Sequence, residues 1–181
     1  MRILFFCLAL MASGVVCGQS RVFPVIKNFG GVFEVPGAVE KPSADLDYKV
    51  AIEIETSTAK PEDLHYFLNR VARLVNLHVM GGVPREKLHV VAVIHGEGVR
   101  VLLNDKAYQK KFKSENPNGA IIRELDQAGV KLVVCGQSLL ARDIDPGLVI
   151  PEVKLATSML TTLTTYQMMG YAVLNFSKIP K

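Results

Sequence analysis

Tryptophan is absent from this sequence of 181 residues, and the aromatic residues together make up only 7% of it. The net charge of +4 is too small to indicate a nucleic-acid-binding protein, particularly with so few aromatic side chains available to stack on bases. After the first residues, no apolar run is long enough to cross a membrane. We therefore expect one globular domain that binds no nucleic acid and has no stable membrane span.

Cysteine is also scarce, since the sequence has only Cys7, Cys17 and Cys135. It contains neither a Cys-x-x-Cys nor a His-x-x-x-His pair, so we expect no metal site. The segment over residues 95–98 (His-Gly-Glu-Gly) has neither the spacing nor the lysine of a phosphate-binding P-loop. We therefore expect no cofactor.

The amino terminus has the pattern of a secretory signal peptide. One arginine precedes an apolar run over residues 3–11, and small and polar residues follow. Cleavage after Gly18 fits the preference for small side chains before the cut. The alternative is attachment of a lipid at Cys17, which Val16 disfavours because lipoprotein signals have a small residue before the cysteine. We expect an exported protein, periplasmic or secreted, from which residues 1–18 are removed.

The rest of the chain divides into an arm and a domain. Residues 19–47 contain several Pro and Gly residues without a sustained period, which predicts an irregular arm. Apolar or alternating runs predict strands over residues 48–55, 88–94, 130–135 and 171–176. Amphipathic segments predict helices between Pro61 and Gly81, over residues 105–113, 118–129 and 138–143, and after Ser158. Over residues 48–181 this alternation predicts a single-domain α/β three-layer sandwich, with a mostly parallel sheet covered by helices on both faces.

Cys135 is the only cysteine left after removal of residues 1–18, so no intramolecular disulfide can form. It ends a predicted buried strand, and Gly136-Gln137-Ser138 turns at once towards a helix. Ligands bind beyond the carboxyl ends of the strands in open α/β sheets, and N–H groups at a helix start stabilise a thiolate. The missing side chain of Gly136 would let a partner approach the sulfur. The alternative is an inert, buried cysteine that packs as a small apolar side chain.

His95 occupies the equivalent position after the predicted strand over residues 88–94. If the two strands are neighbours, its imidazole and the thiol of Cys135 open onto the same crevice. His95 would then stabilise the thiolate or exchange a proton with it. The alternative is a histidine that is hydrogen-bonded to a loop carbonyl. Two other histidines, His65 and His89, are expected on the surface.

The segment over residues 133–144, in which a strand ends in Cys135 and Arg142 follows about two turns later, resembles the DsrE/DsrF-like family of sulfur-relay proteins. Further segments are similar to the exported branch of that family, namely residues 24–31, 76–78, 93–96, 103–108, 116–118 and 170–172. The resemblance implies a compact parallel α/β fold, frequent oligomers and a cysteine that carries sulfur as a persulfide between donor and acceptor proteins. It assigns that role to Cys135.

We therefore expect a sulfur carrier with sulfurtransferase-like chemistry on Cys135, assisted by His95. Its partners would be sulfur donor and acceptor proteins or small sulfane-sulfur compounds. Binding residues are expected around the cysteine, at Gly96, Gly136, Gln137, Ser138 and Arg142. Two other functions stay open: a module that binds a small molecule around His95 and Gly136-Gln137 without turnover, and a protein that only assembles.

The carboxyl-terminal segment has more apolar residues than one helix stripe can bury. The predicted inward-facing residues are Ala156, Met159, Leu160, Leu163 and Tyr166, and Met168, Met169 and Tyr171 follow them. Surplus apolar surface usually marks an interface, which predicts a homo-oligomer. The alternative is that the arm over residues 19–47 folds back over this surface in a monomer.

Overall fold

The sheet predicted from the sequence is present, and its strands are all parallel. The computed structural model describes residues 19–176, so the predicted signal peptide lies outside the described residues. Within them, five strands form one sheet in the order β4-β3-β2-β1-β5. The strands are β1 Tyr48–Ile54, β2 Leu88–Ile94, β3 Lys131–Cys135, β4 Lys154–Ala156 and β5 Ala172–Phe176. The predicted single-domain α/β fold is confirmed.

Helices lie on both faces of the sheet, as predicted. They are α1 Tyr66–Met80, α2 Asp105–Phe112, α3 Gly119–Gln127, α4 Gly136–Leu140 and α5 Met159–Met168. A large apolar core joins the first face of the sheet to α1, α2 and α3, and a small core joins the second face to α5. None of the helices within residues 19–176 is long and apolar enough to cross a membrane.

Side-chain alternation along β1 shows how the two faces differ. Ile52 and Ile54 are fully buried in the large core, whereas Ala51 belongs to the small core and Glu53 shares its face. The small core has few buried side chains: Ala51, Val91, Val93, Val133 and Leu163.

The first helix begins later than predicted. Residues 61–63 form a turn, and α1 begins at Tyr66 with His65 as its N-cap. The Nδ1 atom of His65 accepts a hydrogen bond from the backbone N–H of Leu68 at 3.2 Å, while Asp63 folds back to accept one from Lys60. The prediction that His65 lies on the surface is wrong, because it is 1% exposed.

Three further differences concern the carboxyl-terminal half. The short helix after Cys135 begins at Gly136 rather than at Ser138, and the three-residue strand β4 was not predicted. In α5, Leu163 is buried as expected, but Leu160 is 67% exposed. The predicted inward position of Leu160 is wrong because the small core does not extend around to that side of the helix.

The arm over residues 19–47 is fixed to α1 by one buried amide. Within the arm, which holds no helix or regular strand, the backbone N–H groups of Val25 and Ile26 both donate to Oδ1 of Asn76 at 3.0 Å. The Nδ2 of Asn76 donates to the backbone oxygens of Ile26, Phe29 and Gly30. Gly30 has φ +63°, and a side chain there would overlap the backbone of α1. The arm therefore packs on the first face, away from α5.

Candidate functional site

Four polar side chains on neighbouring strands form a row across the second face of the sheet, at its carboxyl edge. They are Cys135, His95, Glu53 and Asn175, here called the polar row, and they lie on β3, just after β2, on β1 and on β5. The register of β2 against β3 ends with Ile94 beside Val134, and His95 and Cys135 are the next residue on each chain segment. Asn175 is the register partner of Glu53. The two predicted catalytic candidates are therefore neighbours across adjacent strands.

Cys135 lies where two helices begin. It is the last residue of β3, α4 starts at the next residue, and its side chain is only 3% exposed. The backbone N–H of Met159, the first residue of α5, donates to Sγ at 3.2 Å. Because the N–H groups of a first helical turn lack partners within the helix, they favour negative charge on the sulfur.

The environment of Cys135 favours its thiolate. Burial raises the pKa of the thiol, since desolvation disfavours the charged form. Hydrogen bonds from the Ser138 hydroxyl and from the backbone N–H groups of Met159, Ser138 and Gln137 together outweigh burial, so the pKa of Cys135 is lowered. Ser138 Oγ also accepts from the N–H of Gly96 at 3.1 Å, which leaves the hydroxyl hydrogen free to point at the sulfur.

His95 bonds to a carboxylate and not to the loop carbonyl considered from the sequence. Its Nε2 lies 3.0 Å from Oε1 of Glu53, with both side chains largely buried. The second oxygen of Glu53 accepts from Nδ2 of Asn175 at 2.5 Å. Among the described residues, no hydrogen bond joins His95 to Cys135, and no three His, Cys, Asp or Glu side chains are grouped to hold a metal ion.

Gly136 allows close packing of the backbone and not, as expected from the sequence, the approach of a partner to Cys135. A side chain at Gly136 would lie 2.7 Å from the backbone oxygen of Ala156 in β4. The missing side chain therefore lets β4 pack against the start of α4, and does not leave room for a partner beside the sulfur. Gln137, the next residue of α4, is exposed.

Some of the predicted binding residues border a separate cleft. This cleft has a volume of 570 Å³ at the carboxyl ends of β1 and β2, and Gly96 and Arg142 are part of its lining, together with Arg100. Arg142 donates from Nε to Glu97 at 3.0 Å and from a terminal nitrogen to the backbone oxygen of Ser138 at 3.1 Å. Neither Cys135 nor His95 lines this cleft, whereas the binding module considered from the sequence was placed around His95 and Gly136-Gln137.

Sequence reasoning missed Glu53, Asn175 and Met159. A charged residue between Ile52 and Ile54 in a buried strand was the available signal for Glu53. Asn175 could not be linked to it, because the pairing of β5 with β1 is not readable from either strand alone. The approach of Met159 to the sulfur depends on where α5 begins in three dimensions.

Comparison with known proteins agrees with this architecture. The fold is similar to that of the protein of unknown function MTH1491 from Methanobacterium thermoautotrophicum, at 21% identity and a TM-score of 0.53, over 72% of this chain and 100% of the other. It is similar to the ychN protein from E. coli at 19% identity and a TM-score of 0.53, over 71% and 99% of the two chains. No curated protein matches the sequence. The sequence model of the DsrE/DsrF-like family matches residues 49–176, and the chain therefore belongs to the DsrE/DsrF-like family.

Proposed function

We propose that this protein is an exported sulfur carrier that relays sulfane sulfur as a persulfide on Cys135. The observation that carries the proposal is the N–H of Met159 directed at Sγ of Cys135, at the start of α5. It accompanies a lowered pKa of the thiol, and the thiolate is the nucleophile in sulfur transfer. Membership of a family generally linked to sulfur relay supports the same function.

The transfer needs no net oxidation or reduction. The thiolate of Cys135 attacks the terminal sulfur of a persulfide donor, a new S–S bond forms to Sγ, and the donor's S–S bond breaks with its electron pair leaving on the donor thiolate. An acceptor thiolate then attacks the terminal sulfur, and Cys135 leaves as a thiolate again. His95 takes the thiol proton before the first step, and the N–H of Met159 stabilises the charge on Sγ.

Access to the sulfur requires a local movement. Because Cys135 is 3% exposed and the backbone N–H of Met159 contacts Sγ, we propose that the first turn of α5 moves aside when a donor or acceptor reaches the sulfur. Thr157, just before this turn, is exposed, and Ser158 caps the helix through a 3.2 Å bond to the N–H of Leu160. Opening this turn breaks the cap bond and the contact of Met159 with Sγ, a local cost that contacts with a partner surface would offset.

Export and self-association belong to the same proposal. The pattern of residues 1–18 supports cleavage and export, with partners that are sulfur donor and acceptor proteins or small sulfane-sulfur compounds outside the cytoplasm. Exposed apolar side chains support a homo-oligomer through α5, namely Leu160, Met168 and Met169.

Mass spectrometry of the protein over residues 19–181 tests the carrier function. After incubation with glutathione persulfide and removal of excess donor, we expect a gain of about 32 Da on the peptide that contains Cys135. The Cys135→Ser variant should gain nothing, and an acceptor thiol should remove the added mass. An unmodified Cys135 under conditions in which a free thiol peptide gains sulfur contradicts the proposal.

The 570 Å³ cleft favours a second candidate function, a module that binds a small molecule without turnover. Its lining combines hydroxyl groups of residues 56–58 with Arg100 and Arg142. A ligand retained in this cleft, together with an unmodified Cys135, would favour this candidate over the carrier.

A further inference from the structure

A carboxylate at position 53 lowers the stability of the fold relative to an apolar side chain. Its side chain is 19% exposed at the end of a strand whose neighbours are apolar, and both of its oxygens are hydrogen-bonded. Removing a carboxylate from water costs free energy that an apolar residue at the same position would not incur. The charge does not contribute to packing of the large core, since Glu53 lies on the other face of the sheet. Stability therefore does not explain why a carboxylate occupies position 53.

We infer that Glu53 and Asn175 are positioning residues for His95, which accepts the proton of Cys135. The inference rests on the proposed function only in taking Cys135 as the reacting group. Glu53 Oε1 accepts from Nε2–H of His95, and this bond leaves Nδ1 as the basic nitrogen. Nδ1 has no hydrogen-bond partner among residues 19–176. Asn175 in turn fixes the carboxylate through its second oxygen.

The proton step then balances within the polar row. The S–H bond of Cys135 breaks with its electron pair left on sulfur, and an N–H bond forms at Nδ1 of His95. Neighbouring strands lie about 4.8 Å apart, so the two side chains are close enough for one water molecule to carry the proton between them. The positive charge of the imidazolium then lies 3.0 Å from Glu53, which stabilises the thiolate–imidazolium pair. In a nucleophile–histidine–carboxylate triad, the carboxylate likewise orients the histidine and stabilises its imidazolium.

Few other charges can compete for this role. The helix packed over the second face, α5, has no charged side chain, and its only titratable group is Tyr166, near the far end of the helix. Lys49, His89 and Lys131 lie towards the opposite edge of the sheet, and Lys154 is exposed on the edge strand β4, two residues before the register partner of Cys135. Glu55 is exposed and beyond the end of β1, with no ion pair among the described residues.

The experiment is the alkylation rate of Cys135 by iodoacetamide as a function of pH, in the chain over residues 19–181. Glu53→Gln keeps the size of the side chain and removes its charge, and we expect alkylation at neutral pH to slow by about tenfold because the thiolate fraction falls. Glu55→Gln, the same chemical change two residues along, should alkylate as the unmodified protein does. Circular dichroism and urea unfolding report whether each variant is folded.

The direction of the change separates positioning from a direct charge effect. Removing a negative charge near a thiolate would by itself favour the thiolate and speed alkylation. Slowing therefore requires that Glu53 acts through His95, and in a His95→Asn background Glu53→Gln should slow alkylation no further. Unchanged or faster alkylation in Glu53→Gln, or equal slowing with and without His95, overturns the inference.

A second variant keeps the test decisive if Glu53→Gln does not fold. Asn175 is exposed on the edge strand β5, and Asn175→Ala should slow alkylation less than Glu53→Gln and only when His95 is present. No slowing in a folded Asn175→Ala variant would then overturn the inference. Alkylation does not depend on sulfur transfer, so these results stand even if Cys135 gains no mass from a persulfide donor.

Discussion

Met159 donates its backbone N–H to the sulfur of Cys135 at 3.2 Å, although the two residues are 24 positions apart in the sequence. This contact joins the end of β3 to the start of α5, of which Leu163 belongs to the small core and Met159 packs against it. The same contact that stabilises a thiolate therefore also covers it.

The lowered pKa of Cys135 gives a first prediction. Iodoacetamide alkylation of the folded protein should have its midpoint at a lower pH than alkylation of the same chain in urea, because hydrogen bonds to the thiolate outweigh its burial. Ser138→Ala removes the hydroxyl donor and should move the folded midpoint upwards. A folded midpoint at or above that of the unfolded chain would show an inert, buried cysteine.

His65 gives a prediction about stability and pH. Burial lowers the pKa of His65 from 6.5, although its hydrogen bond to the backbone oxygen of Thr56 raises it in part. The unfolded chain therefore binds a proton before the folded chain does as pH falls. The contribution of His65 is fully present above pH 6.5 and is lost as pH falls from 6.5 through the folded pKa.

Urea unfolding at several pH values between 5 and 8 measures this contribution. His65→Asn keeps a side-chain N-cap on α1 and should flatten the decline below pH 6.5. His89→Asn, at an exposed position, is the matched control and should decline as the unmodified protein does. Identical profiles for all three proteins would contradict the assignment.

The strands and most helices could be predicted because their apolar patterns are local. The start of α1 could not, because a histidine cap replaced the expected Pro61 start, and β4 is short with an exposed Leu155. Cys135 was identifiable since a strand end followed by a glycine is visible in the sequence. Its partners were not, because Glu53 and Met159 reach the site through strand order and helix placement, which are properties of the whole fold.

Asn76 gives a prediction about the arm. Its side chain is fully buried and accepts from two backbone N–H groups and donates to three backbone oxygens. Asn76→Leu leaves these groups without partners, and we expect a loss of about 3 kcal/mol in the free energy of unfolding. Asn69→Ala removes one bond, to the N–H of Gly30, and should cost about 1 kcal/mol.

Limited proteolysis distinguishes a released arm from a uniform loss of stability. In Asn76→Leu, cleavage within residues 19–47 should be faster than in Asn69→Ala, under conditions in which the α/β domain of each variant stays folded. Equal cleavage rates, with equal unfolding free energies, would show that the arm does not depend on the Asn76 amide.

Self-association through α5 is the last prediction. Leu160 is 67% and Met168 89% exposed on this helix, and the arm considered as an alternative cover packs instead on α1 and the first face. Leaving such side chains in water is unfavourable, and a closed symmetric assembly is the usual way to cover them. Light scattering of the chain over residues 19–181 at micromolar concentration should therefore report an oligomer. Leu160→Glu and Met168→Glu should shift it to monomer by placing a charge in the interface, whereas Lys110→Glu on α2, also exposed, should not. A monodisperse monomer for the unmodified chain would contradict the prediction.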